Sequence, residues 1–239
     1  MSILLLRLSA PIQSWGESSR FGERDTRKEP TKSGVLGLVC AALGKPREEF
    51  YGDGFPSLEE LGRLKMVVRV EQEGNVERDF QTAGGGQMPG ERRYGVAKAD
   101  PKKGPETVIS NRYYLTDAIF LVALEGDRTL LEKAEAALKE PVWPLFLGRR
   151  AFPPTEPILL GYGVIDDKSA VKVVDEHYWL GRVSSKRPDR LRIVEECGQK
   201  DGSPRRDVPL SFEKSSRRYA VRYVTERWIA TPKGEGESE

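Results

Sequence analysis

The order of apolar runs in the first 165 residues narrows the possible folds more than any other feature of this chain. ILLLRLS, residues 3–9, is apolar except for Arg7 and is stopped by Pro11; it is too short for a helix and suits a buried strand. In KSGVLGLVCAALG the residues Val35, Leu36, Leu38, Val39, Ala42 and Leu43 cover most of a helical girth, with Thr31 or Ser33 as cap and Gly44 and Pro46 as stop. LKMVVRVEQ alternates as a strand over 64–72 before a turn at Gly74 and Asn75. RYYLTDAIFLVALEG reads as strand runs, and DRTLLEKAEAALKEP sets Leu130, Leu131, Ala134, Ala137 and Leu138 on one helical face behind an Asp127 cap. A last strand is expected over 158–160. Strand, helix, strand, strand, helix, strand is the α+β pattern of a ferredoxin-like, RNA-recognition-type core.

Between its second and third strands this pattern is interrupted by QTAGGGQMPGERRYGVAKADPKKGPETV, which has no apolar period; so long a stretch without a core face points to a functional excursion. Residues 1–165 are thus expected to form one domain with this insertion. Residues 166–230, with short runs at 172–174, 191–194, 219–224 and 228–229, read as a small mostly β subdomain, and 231–239 as a disordered tail. Cys40 and Cys197 lie far apart without a CxxC or a histidine-rich neighbourhood, which indicates neither a disulfide scaffold nor a metal site. No cofactor is expected. Neither a signal-peptide core nor a stretch of about 20 apolar residues is present, so the chain reads as soluble and cytoplasmic, with no membrane partner.

The net charge of +2 conceals 39 Lys and Arg against 37 Asp and Glu, so any basic surface must be local. Basic residues gather in three loops. One holds Arg20, Arg24, Arg27, Lys28 and Lys32; the second holds Arg92, Arg93, Lys98, Lys102 and Lys103, with Arg112 beyond it; the third is the turn of Gly148, Arg149 and Arg150. Positive, glycine-rich segments near Tyr94, Tyr113 and Tyr114 suit a phosphate backbone whose splayed bases need aromatic or guanidinium faces. The same loops could equally be the solvated surface of a charge-rich protein, and the paired arginines could simply meet Glu156. The triple glycine is no phosphate-cradling P-loop, because no GK[ST] follows it. Catalysis has little support: His177, the single histidine, has no recognisable companion nucleophile, and the adjacent acids Glu195 and Glu196 would point to opposite faces of a strand.

The stretches LLLRLSAPIQSWG, PTKSGVLGLVCAALG, DFQTAGGG, YYLTDAIFLVAL and LFLGRRAFPPTEPILLG, in this order and spacing, make the chain resemble the CasD family of type I-E CRISPR Cascade subunits, within the repeat-associated RNA-binding superfamily. Only the C-terminal third is weakly matched. The resemblance implies a ferredoxin-like core with a thumb at about 80–112 that wedges against CRISPR RNA, and a non-catalytic role in capping its 5′ handle. It implies partners as well: a CasC-like backbone subunit, a CasA-like large subunit, and target DNA through the complex. It adds Gln13, Trp15, Ser33 and Gln81 to the RNA-binding residues, Gln81 standing where some relatives carry a histidine. A metal-independent endoribonuclease and a protein-interaction module without RNA contact are the alternatives.

Overall fold

The computed structural model describes residues 1–17, 22–49, 52, 54–84, 95–96, 106–166, 168–182 and 186–233. In chain order its elements begin with β1 (Ser2–Ser9), β2 (Ile12–Gln13), β3 (Glu23–Arg24), α1 (Lys32–Leu43), α2 (Leu58–Gly62), β4 (Lys65–Gln72) and β5 (Asn75–Ala83). They continue with β6 (Val108–Thr116), β7 (Ile119–Gly126), α3 (Arg128–Lys139), α4 (Ala170–Glu176), β8 (Arg190–Cys197), β9 (Ser203–Ser211) and β10 (Arg218–Ala230). The result is a mixed helix-and-sheet protein around an antiparallel sheet of order β1-β7-β4-β8-β10-β9. A second, smaller sheet joins β2, β6 and β3, with β5 paired to β6.

Alternation along the strands sorts the core into two layers. Leu4, Leu6 and Leu8 of β1 and Phe120, Val122 and Leu124 of β7 face α1 and α3, whereas Ile3, Leu5, Leu121 and Ala123 face α4. Both strands read as continuous apolar runs because both faces are covered. Helix α1 is apolar nearly all round for a related reason: besides the sheet, including its edge strand β9, it touches α3. Of its two candidate caps, Thr31 is the one used, its hydroxyl accepting from Gly34 N–H at 3.3 Å, and Gly44 ends the helix at φ +72°.

Several expectations are corrected. The run at 172–174 belongs to α4, not to a strand, because Ser169 caps it and Val173 and Val174 turn onto β4 and β7. The runs at 219–224 and 228–229 are one strand, β10. The strand expected at 158–160 is reduced to isolated bridges, Leu159 to Leu6 and Ile165 to Ile3, along the free edge of β1. The excursion is more regular at its ends than its composition implies, since β5 and β6 pair from Asn75 opposite Thr116 to Ala83 opposite Val108. After residue 166 the chain is mostly β, and β8, β10 and β9 extend the β4 edge of the same sheet. No helix among the described residues is long and apolar enough to cross a membrane.

Candidate nucleic-acid interface

The turn after α3 is locked against the segment that follows β1. Ser14 N–H donates to Leu147 O at 3.1 Å, and Phe152 N–H to Arg149 O at 2.9 Å. Gly148 takes φ +99°, and a Cβ there would lie 1.9 Å from Ser14 O, so only glycine lets the two chains approach this closely. The turn delivers Arg149 to the small sheet, where its guanidinium donates to Tyr113 O at 2.9 Å and Arg24 O at 3.3 Å and lies 5.9 Å from the Phe152 ring centre. Arg24 and Arg112 are register partners on β3 and β6. Burial, and then the charges of Arg112 and Arg24, push Arg149 below its usual pKa, with Asp79 and Asp25 offsetting part of this. Arg149 thus sits partly buried near two arginines of distant segments, its charge only partly offset by Asp79 and Asp25, and a bound anion would favour its charged form. Arg150 is exposed beside them. Glu156, the surface alternative for these arginines, is instead paired with Arg7.

Two expected contact residues support the site from below. Gln13 and Trp15 are fully buried: Trp15 Nε1 donates to Gln13 Oε1 at 3.1 Å, and Gln13 Nε2 donates to Ala118 O at 2.7 Å. Trp15 N–H donates to Thr26 Oγ1 at 2.9 Å, and Arg27 N–H to Trp15 O at 3.1 Å, which pins the loop carrying Arg24. The indole needs Gly34 beneath it, since a Cβ on Gly34 would lie 2.8 Å from its ring. Buried side chains cannot touch RNA in this conformation; they position the residues that can.

Lys32 is corrected more sharply. It is 2% exposed, with Nζ 2.9 Å from Glu196 and its backbone N–H donating to Asp207 at 2.8 Å. Burial lowers its pKa, against the pull of Glu196. Arg222 completes this network through a two-pronged contact with Asp207 at 2.7 and 2.9 Å, so the N-terminus of α1 is bolted to β8, β9 and β10. The expected exposed loop therefore ends before Glu29, which is also buried. Arg27 is paired with Glu17, Lys28 is exposed, and Ser33 Oγ lies 3.5 Å from Thr31 Oγ1 in the cap. Gln81 donates to Asp79, whose register partner on β6 is Arg112. Arg20, Arg92, Arg93, Tyr94, Lys98, Lys102 and Lys103 lie outside the described residues.

Sequence reading named Tyr114 but missed its partner Phe152; the two rings have centres 6.1 Å apart beside Arg149. The signal was present in GRRAF, in which an aromatic follows the arginines by two positions. His177 belongs to the α4 side of the large sheet: Nδ1 is 2.8 Å from Tyr178 O, and Arg69 donates to the His177 carbonyl at 2.7 Å. Glu195 and Glu196 do separate, the first to Arg227 and the second to Lys32 and Arg222.

These features define an α+β protein with a backbone-anchored arginine on its small sheet, beside Arg24 and Arg112. The family model described as CRISPR-associated protein (Cas_Cas5) matches residues 3–225, and the chain belongs to that family. It is 35% identical over 174 residues to the CRISPR system Cascade subunit CasD of Escherichia coli (strain K12), covering 67% of this chain and 70% of that protein. Two solved structures are similar along nearly the whole chain. One, titled CRISPR RNA-guided surveillance complex, has 37% identity and a TM-score of 0.74 and covers 96% of this chain and 91% of the other. The second, titled crystal structure of Cas protein, has 35% identity and a TM-score of 0.71 and covers 97% and 98%.

Proposed function

We propose that this chain is a non-catalytic CRISPR RNA-binding subunit that holds the 5′ handle in a Cascade-type antiviral surveillance complex. One observation carries the reading: Arg24, Arg112 and Arg149 converge although 37 residues or more separate each from the next in sequence. Like charges gathered this way await an anion, and the Tyr114 and Phe152 rings beside them offer faces for unstacked bases. Membership of the family and likeness to a Cascade subunit make a CRISPR RNA the natural anion. A soluble, cytoplasmic location goes with such a ligand.

The core is read as ferredoxin-like, supported by the lateral order of the bridged segment near Leu159 and Ile165, then β1, β7 and β4, all antiparallel. The excursion rooted in the β5–β6 hairpin is the proposed thumb, within residues 80–112. We assign 1–165 to RNA binding and 166–230 to a mostly β accessory part. A CasC-like backbone subunit and a CasA-like large subunit are the proposed protein partners, with target DNA engaged through the complex. No cutting role is assigned: the one histidine lies on the α4 side of the large sheet, where Arg69 holds its carbonyl and its ring packs against Tyr178 and Tyr162. Purification with the neighbouring subunits and sequencing of the bound RNA tests the reading: a shared repeat-derived 5′ end is expected, and random or absent RNA would contradict it.

A further inference from the structure

One residue along the loop from Arg24, the protein opens a cleft of about 730 Å³. Its floor is the face of the large sheet that also carries Val194 and Val224, where Trp228 on β10 is the register partner of Arg192 on β8. Residues 25–29 form one wall, and the turn at Glu73 and Gly74 another. Trp228 is 58% exposed, its ring open to the cleft. Around it carboxylates and guanidiniums alternate: Arg192 holds Glu73 at 2.8 and 2.9 Å, and Arg205 lies 3.6 Å from Glu226 and 3.7 Å from Glu29.

Charge decides what can enter. Among the described residues the lining sets five carboxylates against four cations, so phosphate is repelled here while Arg24, next to the wall residue Asp25, attracts it. A strand crossing from the arginine cluster would keep its phosphates outside and offer a base. Guanine fits best. It alone places two N–H donors, N1–H and N2–H, side by side to meet both oxygens of one carboxylate, while O6 and N7 accept from a guanidinium. Adenine and cytosine put a ring lone pair beside their amine, and uracil flanks its N–H with carbonyls; each sets an acceptor against the carboxylate. Glu226 and Trp228 are two positions apart on β10, about 7 Å along the same face, so a base stacked on the indole brings its edge to Glu226.

We propose that this cleft is a guanine-reading subsite: it stacks one splayed base on Trp228 and takes that base's Watson–Crick edge on Glu226. The proposal rests on the RNA-binding reading above and adds base identity to it. Full-length protein is titrated with an RNA octamer of adenylates and with octamers carrying one guanine at each successive position. The best-placed guanine is expected to tighten binding roughly tenfold over the adenylate octamer, about 1.4 kcal/mol, within the range for one bidentate base-edge contact, since adenine stacks on the indole too. Trp228→Ala and Glu226→Gln, both at half-exposed positions that tolerate replacement, should bring the ratio toward one, and Arg149→Ala should weaken all octamers in proportion. Equal, salt-sensitive binding of every octamer, or a guanine preference that survives Trp228→Ala, would overturn the subsite and leave the RNA reading standing. Failure to bind any octamer at low salt would overturn both. Loss of a partner subunit on Trp228→Ala, with the guanine ratio intact, would assign the cleft to a protein contact and overturn the proposal.

Discussion

At the scale of single residues, the arginine cluster depends on the glycine of the turn that carries it. Gly148 combines a positive φ with the 1.9 Å approach to Ser14 O, so Gly148→Ala must move the turn and take Arg149 with it. The backbone strain alone is worth roughly 1–3 kcal/mol. The variant is expected to melt several degrees lower and to bind RNA more weakly, as followed by thermal denaturation and a binding titration. Lys32 provides the converse case. Its ammonium is spent on Glu196 inside the protein, so Lys32→Met should lower the melting temperature while the salt dependence of RNA binding keeps the wild-type slope. Arg149→Ala with Arg150→Ala should instead make the log–log salt slope shallower, by about 0.7 for each phosphate that the two guanidiniums neutralise in the wild type. A shallower slope in the Lys32 variant would mean that the lysine leaves its pocket to meet RNA.

At the scale of elements, a buried ionic clamp ties α1 to the last three strands. Burial works to raise the pKa of Asp207, but hydrogen bonds and charge from Arg222 outweigh it and hold the carboxyl below the usual range. A carboxylate with a lowered folded pKa contributes stability that is complete above its unfolded value of about 3.9 and is lost as pH falls through the folded one. Acid should therefore loosen β9 and β10 from α1 below about pH 4. Asp207→Asn should cost about 3 kcal/mol at neutral pH, because it leaves the buried Arg222 and Lys32 to share the single carboxylate of Glu196, and should flatten the acid limb of the stability curve. Equilibrium unfolding across pH tests both. The excursion behaves differently. Ala83 and Val108 are register partners, so joining them by a short Gly-Ser turn should leave the melt within a few degrees of wild type while weakening handle capture or assembly. Complexes of normal yield and RNA content would contradict the thumb assignment. The main elements up to α3 were legible because each run had a marked end, as with Thr31 and Gly44 around α1, whereas the two-residue strands β2 and β3 and the single-turn-scale α2 are too short to show a period. Strand β9 was not, since SPRRDVPLS carries two prolines and two arginines and finds its place only by pairing with β10. The positions of Gln13, Trp15 and Lys32 were equally hidden, because whether a polar side chain faces solvent or a buried partner is settled by packing between segments that lie far apart in the chain.

At the scale of the whole molecule, a net charge of +2 leaves little general attraction for nucleic acid, and the binding surface is local instead. In the proposed reading the small sheet with the arginine turn meets the phosphates, and the large sheet carries the Trp228 cleft beside it. His177→Ala should leave precursor-RNA processing by the assembled system unchanged, since that histidine packs against Tyr178 and Tyr162. Site-specific cleavage by the purified chain that this substitution abolished would contradict the non-catalytic reading. The central claim is that the arginine cluster holds the RNA 5′ end, and photo-crosslinking tests it most directly. Complexes assembled on CRISPR RNA with 4-thiouridine within the 5′ handle would be irradiated, digested and mapped by mass spectrometry. The account predicts crosslinks on peptides containing Arg24, Arg112 and Arg149, lost when the three are replaced by alanine; crosslinks confined to other subunits, or to faces of this chain remote from that cluster, would contradict it.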